Sequence, residues 1–172
     1  MDLILGHDFE RIKAAYIDVI NITPGIANTC KWEYGKHPSD EDLRSYIEND
    51  EMYALMDGDS MAGLVAITMY QGQDYEEILW ERHLENDQVA VLHLLAVCPA
   101  YQGRALGSII ISEAVEIAEK AGMEALRLDT LKTNLPAQHM YEKAGFSRRG
   151  EQSIFFPDRG WLDFYYYERI LK

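Results

Sequence analysis

The sequence predicts a mixed α/β fold in which strands and helices alternate along the chain. Apolar residues recur at the spacing of a helix in some segments and at the two-residue spacing of a strand in others. The run VAVLHLLAV at residues 89–97 is almost wholly apolar, as a strand buried on both faces should be, and a helical pattern follows it. With 172 residues the chain has the length of one domain, so we expect residues 1–172 to form a single domain.

The first half of the chain predicts two helices and three strands. LILG near the start fits a short strand, and Asp8 can cap a helix with apolar residues at helical spacing. Residues 21–38 carry two prolines and two glycines, which is typical of a long loop. Ser39 and Asp42 have the spacing of a capping box, so a second helix begins there. The Asp-Gly pair of DGDS at residues 57–60 joins two apolar runs into a predicted hairpin.

The second half repeats the alternation of strands and helices. The polar and acidic segment 71–88 is interpreted as an elaborated hairpin loop, with a lid or a dimer contact as the alternatives. The elements predicted after it are a strand at 89–97, a helix at 105–121, a strand at 124–131, a short helix within 134–146, and two strands around the PDRG turn at 157–160.

The formal net charge of −13, with a pI near 4.7, limits the classes of partner. Such a surface repels phosphate backbones, so we expect no nucleic-acid partner, and it favours a cationic substrate. A charge that serves only solubility is the alternative explanation.

The two cysteines, Cys30 and Cys98, have neither the number nor the spacing of a disulfide framework or a metal site, so no metal is expected. The acidic amino-terminal stretch does not look like a secretion signal, and no apolar run approaches the roughly 20 residues of a membrane span. These features predict a cytoplasmic protein with no membrane partner.

The turn QGRALG at residues 102–107 lies between a strand and a helix, where unsatisfied backbone N–H groups point in one direction. Small residues at Gly103, Ala105, Gly107 and Ser108 would let a phosphate reach the backbone, and Arg104 would add a cation. Taken alone, the turn is equally compatible with glycines that serve only tight packing.

Two motifs give the chain a resemblance to a known family. Gln102, Ala105 and Gly107, placed after Val97 and Pro99, match the pattern Gln/Arg-x-x-Gly-x-Gly/Ala that follows a strand ending in Val-x-Pro. Downstream, NLPAQHMYEKAGF matches the pattern Asn-x-x-Ala-x-x-x-Tyr-x-x-x-Gly-Phe at Asn134, Ala137, Tyr141, Gly145 and Phe146. On these motifs the sequence resembles the GCN5-related N-acetyltransferases, the GNAT superfamily. The resemblance implies the GNAT (acyl-CoA N-acyltransferase) fold, a central mixed twisted sheet of about seven strands flanked by about four helices.

The resemblance also implies acetyl-CoA as the co-substrate. Its diphosphate would bind the amides of residues 103–108, and its pantetheine arm would pair with a strand that splays from its neighbour at a bulge. The amide of Val97 would serve as the oxyanion donor. Asn134 would bond the cofactor arm, with a helix N-cap as an equal alternative. The cofactor-binding residues implied are Leu95, Ala96, Val97, Gln102, Gly103, Arg104, Ala105, Leu106, Gly107, Ser108 and Asn134.

One residue departs from the family pattern. Ala105 stands where glycine is commonest, and an alanine does not easily adopt a positive φ. We therefore expect the backbone to avoid the left-handed region there and the first phosphate contact to be slightly altered.

The catalytic residues implied by the resemblance are Tyr141 and His93. Tyr141 would protonate the departing thiolate, and packing for its area alone is the alternative. An amine acceptor must lose a proton before it attacks, and His93 would accept that proton, as a histidine at this position does in the arylalkylamine branch of the superfamily. A core histidine bonded to a backbone carbonyl is the alternative, and Glu81, Glu85 or Asp87 could act instead through a water chain.

The sequence thus predicts an N-acetyltransferase that transfers acetyl from acetyl-CoA to a primary amine of a small molecule or peptide by direct attack. A protein amino terminus or a lysine is an alternative acceptor. The alternatives from other classes are a non-catalytic acyl-CoA sensor and an unrelated α/β fold with a chance turn. A homodimer is left open.

Overall fold

The structure is a computed structural model that describes residues Met1–Lys172. Its seven strands are β1 Asp2–Leu5, β2 Met52–Asp57, β3 Ser60–Thr68, β4 Val89–Val97, β5 Ala125–Leu131, β6 Ser147–Phe156 and β7 Gly160–Ile170. Its five α-helices are α1 Phe9–Ile22, α2 Ile26–Thr29, α3 Asp40–Glu48, α4 Leu106–Lys120 and α5 Leu135–Lys143. The predicted α/β alternation is confirmed. The one helix beyond the predicted four is α2, a single turn within the stretch 21–38 that the prolines and glycines marked as a loop.

The strands form one mixed sheet in the order β1-β2-β3-β4-β5-β7-β6. Strands β4 and β5 are parallel, with Val89–Leu92 in register with Ala125–Leu128. The pairs β1–β2, β2–β3, β5–β7 and β6–β7 are antiparallel. A parallel pair needs a crossover connection, which here contains α4, and a pair of this kind is usually buried on both faces, as the apolar run of β4 indicates.

Two helix starts form as the sequence predicts. Asp8 Oδ1 accepts a hydrogen bond from Arg11 N at 3.1 Å, so it caps α1. Ser39 and Asp42 form the reciprocal bonds of a capping box at the start of α3, at 3.1 and 2.8 Å. Each cap satisfies backbone donors that would otherwise lack a partner at a helix start.

The chain divides into two compact units whose limits fall inside β3, β4 and α4. The first unit comprises Met1–Ile67 and Leu94–Glu113. Its core includes apolar side chains of α1, β2, β3 and the end of β4: Ile12, Tyr16, Val19, Met52, Ala54, Leu64, Ala66, Leu94 and Ala96. The hydroxyl of Tyr16 donates to the carbonyl oxygen of Leu94 at 2.7 Å, which ties α1 to β4.

The second unit comprises Thr68–His93 and Ala114–Lys172. Residues 69–88, the β3–β4 segment, contain two short 3-10 turns, Gln73–Tyr75 and Asn86–Gln88. One cluster of this unit packs Tyr75 and Ile78 of that segment against Val89, Val91 and Tyr166 of the sheet.

Arg127 on β5 holds the β3–β4 segment in place. Its guanidinium donates to Gln71 Oε1 at 2.6 Å and to the carbonyl oxygen of Arg82 at 3.0 Å. It also lies 4.1 Å from the ring centroid of Trp80 and forms a fully buried ion pair with Glu168. The segment is therefore an elaborated loop anchored to the sheet at several points.

None of the helices combines the length and the apolar character that crossing a membrane would require.

Candidate active site

The end of β4 departs from regular strand geometry at Leu94. This residue has a φ of +53°, in the left-handed region that side chains other than glycine rarely adopt. Its carbonyl oxygen accepts from the Tyr16 hydroxyl of α1 at 2.7 Å. A bulge of this kind interrupts strand pairing and redirects the residues after it, here Leu95–Val97. The resemblance implied a bulge in this strand; the left-handed φ of Leu94 and the end of the β4–β5 register at Leu92 are compatible with it.

Gly63 on β3 lets that strand approach the end of β4 closely. A Cβ atom at this position would lie 2.9 Å from the carbonyl oxygen of Ala96 and 2.7 Å from Ile110 Cδ1. The amide of Cys98 then donates to the carbonyl oxygen of Ala62 at 2.9 Å. The end of β4 is thus fixed from the β3 side.

The side chain of Gln102 fixes the loop that leaves β4. Its Nε2 donates to the carbonyl oxygen of Val97 at 3.0 Å and to Thr23 Oγ1 at 2.8 Å. Thr23 is the C-cap residue of α1, so one amide group connects the loop to a strand end and a helix end. The structure therefore gives Gln102 a positioning role within the loop.

The expectation about Ala105 was wrong. Its φ is +57°, so the alanine adopts the left-handed conformation that the family pattern assigns to glycine at this place. Gly103 also has a positive φ, of +77°, whereas Arg104 between them does not. Left-handed geometry costs an L-residue roughly 1–2 kcal/mol, a cost that the surrounding loop and α4 must offset.

This alternation of φ signs generates a concave run of amides. Successive N–H groups converge when residues of opposite handedness follow one another, and such concavities bind anions. The turn leads directly into α4, whose start carries partial positive charge, although the amide of Ser108 already donates to the carbonyl oxygen of Ala105 at 3.1 Å. Gly103, Arg104, Ala105 and Ser108 are all exposed. The residues present therefore fit a diphosphate group.

The energetic cost of the left-handed conformation at Ala105 gives a first prediction about stability. Ala105→Gly is expected to leave the free energy of unfolding unchanged or to raise it by up to about 1 kcal/mol, because glycine adopts a positive φ without penalty. Gly103→Ala is expected to lower the free energy by about 1 kcal/mol for the opposite reason, although a Cβ there would meet nothing within 4 Å. Denaturant unfolding of both variants measures the effect. A destabilised Ala105→Gly protein would contradict it.

Tyr141 lies on α5, in the second unit. Its side chain is buried, and its ring lies 6.0 Å from that of Phe146 and 6.2 Å from that of Tyr167, measured between centroids. Asn134 is the N-cap of the same helix, where Oδ1 accepts from Ala137 N at 3.4 Å. The capping alternative for Asn134 is therefore observed.

His93 is half-buried on β4 and bonds to a side-chain hydroxyl. Its Nε2 lies 3.3 Å from Thr68 Oγ1, and the Thr68 hydroxyl donates its single proton to the carbonyl oxygen of Tyr70 at 2.8 Å. Because that proton is already used, Thr68 can only accept from His93. In this arrangement the Nε2–H group of His93 is the donor to Thr68.

Two of the acidic alternatives to His93 are held by nearby groups. Glu81 forms an ion pair with Arg149, and the Glu85 side chain caps the 3-10 turn Asn86–Gln88. Asp87 lies exposed in that turn.

Sequence reasoning missed a carboxyl group on the same face as His93. Asp129 on β5 accepts a hydrogen bond from the Tyr75 hydroxyl at 2.5 Å. Burial raises the pKa of Asp129 to about 6, against the lowering effect of the Tyr75 hydrogen bond. Burial also raises the pKa of Tyr75, so the phenol keeps its proton and donates it. The sequence signal that could have indicated this carboxyl group is a pair of charged residues at alternate positions of an apolar strand, Arg127 and Asp129.

Comparison with known proteins identifies the family. Residues 23–146 match the family described as Acetyltransferase (GNAT) family, which is more than half of the chain. The chain therefore belongs to the GNAT acetyltransferases, as the two motifs indicated.

Individual relatives cover the chain to different extents. Streptothricin acetyltransferase of Streptomyces lavendulae is 26% identical over 124 residues, which is 72% of this chain and 55% of that protein. An uncharacterized N-acetyltransferase of Methanocaldococcus jannaschii is 31% identical over 83 residues, 48% of this chain, and the chain spans only 34% of its length.

Solved structures support the fold along the whole chain. YncA of Salmonella typhimurium, solved with its cofactor acetyl-CoA, has a TM-score of 0.72 at 14% identity, covering 100% of this chain and 94% of that one. The ribosomal-protein-S18-alanine N-acetyltransferase of Escherichia coli has a TM-score of 0.68 at 17% identity, covering 99% and 94%. The predicted GNAT fold is confirmed.

Proposed function

We propose that the protein transfers an acetyl group from acetyl-CoA to a primary amine by direct attack. The observation that carries this proposal is the left-handed turn at Gly103 and Ala105 that leads into α4, in a chain of the GNAT family. Acetyl-CoA supplies an acetyl group activated as a thioester. The amides of residues 103–108 bind its diphosphate, and Arg104 adds charge at the same rim.

The end of β4 holds the extended arm of the donor. An amide-bearing chain can pair with a strand edge as an added strand would, and the bulge at Leu94 supports an edge of this kind at Leu95, Ala96 and Val97. The amide of Val97 then donates to the thioester oxygen as negative charge develops on it. A donor fixed in advance loses less entropy when the amine attacks.

The proton transfers are assigned to one base and one acid. The imidazole of His93 accepts a proton from the acceptor ammonium group, and the resulting neutral amine nitrogen forms a bond to the carbonyl carbon. As the C–S bond breaks, the electron pair stays on sulfur, and the Tyr141 hydroxyl donates a proton to that thiolate. The nitrogen then gives its second proton to the Tyr141 phenolate, which restores the phenol, so the products are an N-acetylated amine, CoA as the thiol, and one proton held by His93.

The names of two related proteins indicate which classes of acceptor should be compared in an activity assay. One named acceptor is an alanine of a ribosomal protein and the other is streptothricin, so a protein amine and a small molecule are the two acceptor classes. We also propose a cytoplasmic location, where cysteines such as Cys30 and Cys98 stay reduced. Release of CoA thiol across an amine panel separates an enzyme from a non-catalytic acyl-CoA sensor.

A charge placed in the first turn of α4 tests the diphosphate site. Ser108→Glu is expected to weaken acetyl-CoA binding at least about tenfold, because a carboxylate would repel the diphosphate. The same change should keep or slightly raise the free energy of unfolding, since an anionic side chain stabilises a helix start. Calorimetric titration with acetyl-CoA and denaturant unfolding measure the two effects separately.

The matched control is Ser112→Glu, an exposed serine one turn further along α4. It adds the same charge beyond the first turn, where the N–H groups already have partners, so affinity should change little. Equal affinities for wild-type protein and Ser108→Glu would exclude this diphosphate site.

A further inference from the structure

We infer that Asp129 binds the acceptor amine as its ammonium ion, which makes the substrate class a cationic primary amine. This inference rests on the proposed function and adds to it the residue that selects the acceptor. It concerns a group that the proposed proton transfers do not use.

Strand register places Asp129 and His93 side by side. Val91 on β4 is the partner of Arg127 on β5, and the next residue on the same face of each strand is His93 and Asp129, respectively. The two side chains therefore start from neighbouring positions of one face. A cation at Asp129 would lie beside the histidine that is proposed to accept its proton.

Asp129 carries a charge that no residue of the chain neutralises. None of the ion pairs in the structure includes it. Arg127, the cation on the same face of β5, is paired with Glu168 at 2.7 Å. A desolvated carboxylate without a cation is costly, and groups of this kind are concentrated at functional sites. An incoming ammonium ion would supply the missing charge.

The surroundings of Asp129 suit a small cation. The Tyr75 hydroxyl occupies Oδ1, and the largely buried side chain keeps some exposure to solvent, so a ligand can still reach the carboxyl group. Trp80 stacks on Tyr75 with 5.8 Å between ring centroids, and Tyr166 is the β7 partner of Asp129. Because Trp80 already contacts both Tyr75 and the Arg127 guanidinium, the carboxyl group of Asp129 is the group that contacts the cation.

Charged and titratable groups share this face on every neighbouring element. They are Asp74 and Tyr75 of the β3–β4 segment, His93 of β4, Arg127 of β5, and Tyr166 and Glu168 of β7. Asp74 raises the pKa of Asp129 further, although burial is the larger cause. With a pKa of about 6, the carboxyl group is mostly ionised at pH 7.5 and binds a cation there.

The experiment measures the KM and kcat of the acceptor amine rather than the binding of acetyl-CoA. Wild-type protein, Asp129→Asn and Asp158→Asn are assayed for CoA thiol release with phenethylamine, putrescine, spermidine and a peptide with a free amino terminus. Asp158 is exposed in the β6–β7 turn, so its substitution removes the same charge without touching this face. We expect Asp129→Asn to raise the KM of cationic amines about tenfold or more, because a charge-assisted hydrogen bond is lost, with a smaller change in kcat.

Two further readouts separate binding from folding. A carboxyl group whose pKa is raised on folding destabilises the folded state above that pKa and has no such effect below its unfolded value. Asp129→Asn should therefore raise the unfolding temperature at pH 7.5 and change it less at pH 4. Between pH 5 and pH 7.5, acceptor binding should gain strength in wild-type protein and gain less in Asp129→Asn. Because His93 is common to both proteins, the difference between the two profiles isolates Asp129.

The outcomes distinguish this inference from the proposed function. An unchanged acceptor KM in Asp129→Asn, or an equal change in Asp158→Asn, would overturn the role of Asp129 and leave the acetyltransferase assignment intact. Acetyl-CoA binding by wild-type protein without turnover of any cationic amine in the panel would also overturn it. Failure to bind acetyl-CoA in the calorimetric titration would overturn the proposed function itself.

Discussion

Replacing Tyr141 by phenylalanine is expected to lower kcat about 100-fold, because positioned acid catalysts contribute 10²–10⁴-fold to such reactions. Departure of CoA as a thiolate is disfavoured at neutral pH unless a proton reaches the sulfur, and phenylalanine cannot donate one. The ring contacts with Phe146 and Tyr167 are retained in the variant, so the helix should keep its packing. Steady-state kinetics with an amine acceptor and calorimetric titration with acetyl-CoA provide the two measurements, and the affinity for acetyl-CoA should change little.

The chain provides a matched control for this variant. Tyr167 is also buried, lies against Tyr141, and loses only a hydroxyl bond to Glu142 at 3.2 Å when replaced by phenylalanine. Tyr167→Phe should therefore keep most of its activity. Full turnover in Tyr141→Phe, or an equal loss in both variants, would remove the proton-donor assignment.

Local interactions explain the parts of the fold that were predicted from sequence. Asp8, Ser39 and Asp42 act on backbone groups three residues away, so their caps depend on little beyond neighbouring sequence. The Asp-Gly turn of residues 57–60 and the apolar run of β4 are local in the same sense. Features that depend on a few adjacent residues can be predicted before the tertiary structure is known.

The missed features depend on residues distant in the chain. The Tyr75–Asp129 hydrogen bond joins positions 54 apart, and the bond from Tyr16 to Leu94 joins positions 78 apart. The conformation of Ala105 is set by a loop that Gln102 ties to Thr23, 79 positions away. Intrinsic preference alone favours a negative φ for alanine, and here tertiary structure overrides it.

The aromatic residues of β7 are a further case in which sequence alone did not determine the tertiary environment. Sequence alternation indicated two faces but did not assign them between core and surface. In the structure Tyr166 and Tyr167 are buried, whereas Trp161 is 69% exposed and contacts Phe155 near the β6–β7 turn. The two buried tyrosines are consecutive and lie on opposite faces, which is possible because this part of β7 is covered on both sides.

Removal of one partner of the buried ion pair between Arg127 and Glu168 is expected to destabilise the protein strongly. Glu168→Gln should lower the free energy of unfolding by about 3 kcal/mol, because removing one partner leaves an uncompensated buried charge. Both side chains are fully buried, and Arg127 Nε donates to Glu168 Oε2 at 2.8 Å. Glutamine has nearly the same volume, so the loss would not come from a cavity. Denaturant unfolding measures it, and the melting temperature should fall by about 10 °C.

The matched control for Glu168→Gln is the same glutamate-to-glutamine change at Glu151 on β6. Glu151 pairs with Lys132 at 2.7 Å, but its side chain is 60% exposed, so Glu151→Gln should cost at most about 1 kcal/mol. An equal, small loss in both variants would mean that the desolvation of Arg127 and Glu168 already cancels their attraction. The remaining bonds of Arg127 to Gln71 and to the Arg82 carbonyl would then suffice to hold the β3–β4 segment beside Asp129. A large loss at Glu168 alone would instead make the ion pair the anchor of that segment.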